Sequence, residues 1–320
     1  MENTIDLREE ILQLSDRTRF SSNLLEKDYH LTRILHNISE QKIEDLVFKG
    51  GTCLNKCYLG FYRLSEDLDF VYNHNVAHQT KMQIKKIIDT LRRKLVKTLN
   101  ELGLQTNNTL GNGWKMLTSD EDPKIVGLEI ITNYSSLFDG SLQTIKLEIS
   151  LRKKLIKPTM IKAIHHEFID ALGEPLLKKD VEIEVIDLSE NFAEKFRALV
   201  TRKNIAIRDI YDIYFILKKN IVKMDSRMIE LILIKINESK KENFTKENLI
   251  QFIRELKSKL SDLNEKEISS VLKSGETVNI RKMIKYCEEI LFNINYKSSI
   301  SDGQKTTPDD TASEEKTTVR

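Results

Sequence analysis

A chain of 320 residues, 40% hydrophobic and with only 4 prolines and 11 glycines, has material for one large domain or two ordinary ones, mostly helical. Its 51 basic and 49 acidic residues leave a net charge near +2, which excludes a generic nucleic-acid binder, so any basic surface must be local. No apolar run of 18 residues and no signal peptide is found, and Cys53, Cys57 and Cys287 suit a reducing compartment, so a soluble cytoplasmic protein without membrane contact is expected.

Residues 5–38 read as two helices. The second, from about Asn23 to Ile38, sets Leu24, Leu31, Ile34, Leu35 and Ile38 at helical spacing. It carries Glu26-Lys27-Asp28-Tyr29, a run that taken alone is a solvated face. Leu46-Val47-Phe48 reads as a short buried strand leading into Lys49-Gly50-Gly51-Thr52-Cys53-Leu54-Asn55-Lys56. The glycines permit a sharp turn, and Thr52 is placed to cap a helix running on through Leu54 and Tyr58. Strand, glycine turn and helix N-terminus together offer N–H groups and a positive dipole end, which suits phosphate.

A few residues on comes Arg63-Leu64-Ser65-Glu66-Asp67-Leu68-Asp69-Phe70. Asp67 and Asp69 are two apart at the head of a second strand, so both carboxylates leave one face. Two convergent carboxylates beside a phosphate cradle are what Mg²⁺-dependent phosphoryl chemistry requires. Cys53 and Cys57 lack a second Cys/His pair and read as ordinary helix residues, and His74 and His78 as loop and helix-start residues.

A helix is expected from about Gln79 to Leu102, with Arg92, Arg93, Lys94 and Lys97 on a solvated face. Three strands follow, over Trp114 to Leu117, Ile125 to Thr132 and Leu142 to Leu151. The last alternates well, with Ile145, Leu147 and Ile149 on one side and Lys146 and Glu148 on the other. Val181 to Ile186 is a further strand. Ser189 is a candidate cap for a helix from Asn191 to Arg202, and helices are expected over Met228 to Ile236, Leu249 to Leu260 and Ile280 to Phe292. Residues 298–320 are almost without apolar side chains and are expected to be disordered.

The order strand, Gly-Gly-Thr, helix, strand, Asp-x-Asp resembles the nucleotidyltransferase superfamily of polymerase-β-like fold. The run KGGTxLxK…RxSxDxDF resembles the AbiEii/AbiGii toxins of abortive-infection and toxin–antitoxin systems. Glu26-Lys27-Asp28-Tyr29, Ile145-Lys146-Leu147-Glu148-Ile149, Lys195-Phe196-Arg197-Ala198 and Arg208-Asp209-Ile210-Tyr211-Asp212 are similar to other elements of that family. The resemblance implies an α/β (α+β) fold: a nucleotidyltransferase-type mixed sheet with flanking helices over 1–187, then a helical domain over 188–297 that adds 195–212 to the site. It implies that Asp67, Asp69 and Glu148 hold Mg²⁺ or Mn²⁺ and carry catalysis. Lys49, Gly50, Gly51, Thr52, Lys56, Ser65, Lys146, Lys195, Arg202, Asp209 and Asp212 would serve the nucleotide, with Lys27 and Asp28 as secondary candidates.

The expected activity is transfer of a nucleoside monophosphate from an NTP to RNA, foremost tRNA, releasing pyrophosphate, in a toxin of phage defence held in check by a cognate antitoxin. Basic residues Arg152-Lys153-Lys154, with Lys195, Arg197, Arg202 and Lys203, are the expected RNA surface. An adenylyltransferase acting on a small molecule or a protein, and a non-catalytic nucleotide-binding module, are the alternatives.

Overall fold

Ile145, Leu147 and Ile149 are fully buried while Lys146 and Glu148 between them stay partly exposed. The best-alternating stretch of the sequence is thus a strand with one apolar and one polar face, and it lies in the middle of a sheet. The computed structural model describes residues 6–302, except 75, 77, 108, 119–123, 152–154, 171, 241–242 and 259–265. Among the described residues, eight strands form one mixed sheet: β1 (Leu46–Lys49), β2 (Asp67–Tyr72), β3 (Gln105–Thr106), β4 (Trp114–Thr118), β5 (Ile125–Ser135), β6 (Leu142–Ser150), β7 (Met160–Ala163) and β8 (Glu182–Val185). Their spatial order is β3-β5-β6-β2-β1-β8-β7, with β4 added onto β5. β2 runs antiparallel to β1 and parallel to β6.

Helices α1 (Leu7–Thr18) and α2 (Ser22–Glu40) precede the sheet, and α4 (Lys81–Glu101) follows β2. Between β1 and β2 lies α3 (Gly50–Cys53), which widens at once into a π-helical stretch, Leu54–Leu59. The chain then turns helical: α5 (Leu188–Thr201), α6 (Ile207–Lys218), α7 (Ser226–Asn237), α8 (Lys246–Leu256), α9 (Lys266–Ser269) and α10 (Ile280–Asp302). Among the described residues no helix is long and apolar enough to cross a membrane.

Burial divides into two apolar clusters. One joins the apolar face of the sheet to α2 and α4, with Leu31, Phe48, Phe70, Leu95 and Leu147. The other unites the later helices with α1 and the start of α2, through Ile11, Leu25, Phe192, Ile213, Ile232 and Ile284. Helix α2 therefore spans both clusters, and Leu54, Tyr62 and Leu64 extend the second beneath the glycine turn.

Three expectations change. The Glu26–Tyr29 run is not a solvated face, because Glu26 and Asp28 are buried. The Glu26 carboxylate accepts from Ser136 Oγ and from the Leu137 N–H, at 2.9 and 2.7 Å. The cap of α5 is Asp187, which accepts from the N–H groups of Ser189 and Glu190, rather than Ser189 itself. Helix α10 continues to Asp302, so residues 298–302 are helical despite their polarity, since extending a helix anchored by Ile280, Met283, Ile284 and Leu291 costs little. Residues 303–320, the rest of the expected tail, lie outside the described residues.

Glu190 ties the two clusters together. It is fully buried, accepts from the backbone N–H groups of Ile156 and Lys157 ahead of β7, and pairs with buried Lys235 of α7 at 2.6 Å. Removing one partner of such a pair leaves an uncompensated interior charge. Lys235→Met is expected to lower unfolding stability by about 3 kcal/mol in a urea titration.

Candidate active site

Lys49 ends β1 and stands opposite Asp69 of β2. Gly50 then turns the chain with φ at 79°, in the left-handed region. A Cβ at Gly50 would lie 2.3 Å from Asp69 Oδ2, so the Asp69 carboxylate rests directly on the turn and only glycine admits it. At Gly51 a Cβ would come within 2.8 Å of Arg63 Nη2 and 3.1 Å of Ser65 Oγ. Asn191 of α5 clasps the Gly50 peptide from both sides: its Oδ1 accepts the Gly50 N–H at 3.1 Å, and its Nδ2 donates to the Gly50 carbonyl at 3.2 Å. One N–H expected to face phosphate is thereby occupied. Thr52 does not cap the helix; its hydroxyl donates to the Asp67 carbonyl, pinning the turn to β2. The residue at the cap position is Lys49, with no side-chain cap bond.

Leu68 and Phe70 of β2 are buried, whereas Asp67 and Asp69 share the opposite, partly exposed face. In the parallel neighbour β6, Lys146 stands beside Asp67 and Glu148 beside Asp69. Adjacent strands lie about 4.8 Å apart, so the register sets three carboxylates and one ammonium on a single face. Glu148 is 38% exposed, and Lys146 Nζ lies 3.9 Å from it. On the next strand Glu129 stands opposite Glu148, but it is buried and paired with Lys115 at 2.9 Å. Burial pushes the Asp67 carboxyl above its ordinary range; Asp69 adds to the rise, while Lys146, Lys27 and Arg208 work against it.

Among the described residues no three His, Cys, Asp or Glu side chains are drawn into a ready coordination cluster. Uncompensated carboxylates repel one another, so the strand register rather than their mutual contact brings Asp67, Asp69 and Glu148 together. The donor set fits a hard divalent cation: all carboxylate oxygen, with Asp69 resting against a turn that lacks a Cβ.

A family model described as nucleotidyl transferase AbiEii toxin, Type IV TA system, matches residues 33–282, a range holding every strand of the sheet and both glycines of the turn. The chain belongs to the AbiEii nucleotidyltransferase toxin family. No curated protein matches it significantly. Among solved structures, JHP933 from Helicobacter pylori superposes with a TM-score of 0.50 at 17% identity, over 90% of this chain and 100% of that one. A candidate nucleotidyltransferase from H. pylori superposes at 0.51 with 16% identity, over 88% of this chain and 99% of that one. At such identities these two structures speak for the fold alone.

Four more of the expected AbiEii site residues, Lys195, Arg202, Asp209 and Asp212, join Arg63 in a network behind the turn. Asp212 of α6 accepts from Arg63 Nε and Nη2, both at 2.6 Å, and from the Tyr62 hydroxyl at 2.7 Å. Lys195 of α5 lies 2.9 Å from both Asp209 and Asp212, and Arg202 donates to Asp209. Arg63, Lys195, Asp209, Asp212 and Arg202 thus make one ion-paired chain whose far end, Arg63, abuts Gly51. Although burial works against its charge, Arg63 and Lys195 hold the Asp212 carboxyl well below the usual carboxylate range. Lys195, expected on the triphosphate, has its ammonium committed to two carboxylates. Arg63, quoted in the sequence only as part of a motif, is the buried keystone; an arginine one residue after an aromatic gave no sign of its partner 149 positions away.

Lys56, expected at the nucleotide, is fully buried and paired with Asp28 at 2.9 Å, so both residues are interior rather than ligand-facing. Lys49 lies 3.7 Å from Glu194. Ser65 stays beside Gly51. Lys27 pairs with Glu66 and so remains at the rim. Cys53 and Cys57 are free, buried thiols.

Two substitutions separate the layers. Asp212→Asn breaks a buried charge pair and is expected to destabilise the fold by about 3–5 kcal/mol at neutral pH. Because the folded Asp212 carboxyl is depressed, its contribution is present above about pH 4 and lost as pH falls below that, so the deficit should shrink in acid. Asp67→Asn has the opposite sign. Its folded carboxyl is raised, so ionisation opposes folding above about pH 4. The variant should match or exceed the wild-type melting temperature at pH 7, with the difference fading in acid. Calorimetry across pH 3–7 reads both.

Proposed function

We propose that this toxin transfers a nucleoside monophosphate from an NTP to a hydroxyl of RNA, foremost the 3′ end of tRNA, releasing pyrophosphate with Mg²⁺ or Mn²⁺ as cofactor. The observation that carries the reading is the register that aligns Asp67, Asp69, Lys146 and Glu148 on one face beside a turn without Cβ atoms. Asp67, Asp69 and Glu148 would hold the cation. A divalent cation bound there supplies charge neutralisation for the triphosphate and acidifies the attacking hydroxyl.

The acceptor oxygen attacks the α-phosphorus, the bond to the β-phosphate oxygen breaks, and pyrophosphate carries off the electron pair. Most of the barrier reduction in such a displacement comes from positioning and charge neutralisation. Asp69 is positioned by Gly50, and Asp67 by the bond from Thr52 to its own carbonyl. Glu148, at the solvent-facing rim, takes the acceptor proton. Lys146 beside it meets a phosphate oxygen of the NTP.

An RNA acceptor is supported by that open rim, which admits the end of a macromolecule, and it suits membership in a toxin family, because blocking the end of an RNA would stop growth. Part of the expected basic surface does not support it. Arg197 is engaged by Glu194, and Lys195 and Arg202 by Asp209, while Arg152, Lys153 and Lys154 lie outside the described residues. The family also implies a cognate antitoxin, with which the chain would act in phage defence in the cytoplasm.

Incubation with each radiolabelled NTP, with and without total RNA, tests the reading. Label in RNA that requires Mg²⁺ is the expected result. Label in protein or small solutes would make the chain an adenylyltransferase of another acceptor class, and no label would make it a binding module. Glu148→Gln is expected to retain NTP binding and slow transfer about 10²–10⁴-fold. Equal loss of binding and turnover would move Glu148 from proton acceptor to cation ligand only.

A further inference from the structure

Most lysines and arginines around the turn are spoken for by buried carboxylates. Lys56 is paired with Asp28, and Lys195 with Asp209 and Asp212, each at 2.9 Å; Arg63 is paired with Asp212 at 2.6 Å. Exchanging such a partner would strand a charge in the interior. Glu66 is different. It immediately precedes Asp67, is 37% exposed, and binds two cations from separate helices, one on each carboxylate oxygen. Lys27 of α2 lies 3.4 Å from Oε1 and Arg208 of α6 lies 3.4 Å from Oε2. Both pairs are longer than the buried ones, and both are open enough to solvent to be screened and weak. Through Glu66, Lys27 and Arg208 are both held at the residue next to Asp67.

We propose that Glu66 is a built-in stand-in for phosphate: it holds Lys27 and Arg208 at the mouth of the site and yields both to the triphosphate tail of the incoming NTP. The proposal rests on the nucleotidyltransferase reading and names the cations that read the number of phosphates. A triphosphate bears several charges and many acceptor oxygens against the single charge of one carboxylate, so the exchange favours the ligand. An arginine also reaches phosphate through two parallel donors, a geometry that Glu66 meets with only one oxygen. The exchange couples α2 and α6 to occupancy of the site, because both cations then share one ligand.

Equilibrium binding of a fluorescent, non-hydrolysable NTP in Mg²⁺ to the full chain tests this, with the matching NMP as comparison. Lys27→Met and Arg208→Met should each weaken NTP binding roughly ten- to a hundredfold and leave NMP binding nearly unchanged. Lys27→Arg should restore most of the loss. Glu66→Gln should tighten NTP binding several-fold, an effect that neither a structural clasp nor a metal ligand would produce. Weaker NTP binding by Glu66→Gln, or NTP binding by both cation variants equal to wild type, overturns the proposal while leaving the nucleotidyltransferase reading intact. Failure of the wild-type chain to bind any NTP overturns both. Thermal unfolding of each variant separates loss of binding from loss of fold, and a cation variant that binds NMP normally is folded at the site.

Discussion

The Asp69 carboxylate lies against a backbone turn that has no Cβ to hold it away, and the local architecture follows from that contact. It requires glycine at position 50 on two counts, the positive φ and the 2.3 Å that a methyl group would leave. It requires β1 and β2 to be antiparallel neighbours in the register that sets Lys49 opposite Asp69. It also requires the turn itself to be rigid, and Asn191 supplies this by bonding both the N–H and the carbonyl of Gly50. A strand from the sheet and a helix from the second cluster therefore meet at a single peptide.

Behind that contact the protein accepts an expensive interior. Arg63 and Asp212 are almost wholly removed from water, and such a pair contributes little net stability compared with apolar packing. What the pair provides is direction. A bidentate guanidinium can lie in one orientation only, and here that orientation carries Nη2 to the edge of Gly51. Lys195, Asp209 and Arg202 continue the same alternation of charge outward to solvent. The residues are those expected to serve the nucleotide, yet their ion pairs lead to the turn.

The parts of this arrangement that follow local rules were legible in the sequence. Alternation revealed β6 and the sidedness of Lys146 and Glu148, and the Asp67–Asp69 spacing placed both carboxylates on one face of β2. Helical spacing delimited α2 and α4 to within two residues. Whatever depends on distant partners was not legible. Nothing near Lys56 announced that its charge would be buried with Asp28, or near Arg63 that Asp212 would close on it. Glu26 and Asp28 looked solvated because charged residues usually are; the donors of Ser136 and Leu137 that make burial of Glu26 tolerable lie more than a hundred positions away, and Asp28 is met by Lys56. Short strands such as β3 and β7 carry too few residues for any period to emerge, and the π-helical stretch after α3 departs from helical spacing where the pattern was read as continuous.

The central claim is that Asp67, Asp69 and Glu148 form one divalent-cation site that assembles with the nucleotide. Electron paramagnetic resonance of Mn²⁺ in the presence of a non-hydrolysable NTP measures this without relying on turnover or on the identity of the acceptor. The wild-type chain should immobilise Mn²⁺ only when nucleotide is present, and Asp69→Asn, folded as shown by circular dichroism, should leave the free-ion spectrum unchanged. Immobilised Mn²⁺ in Asp69→Asn equal to that of the wild type would contradict the account.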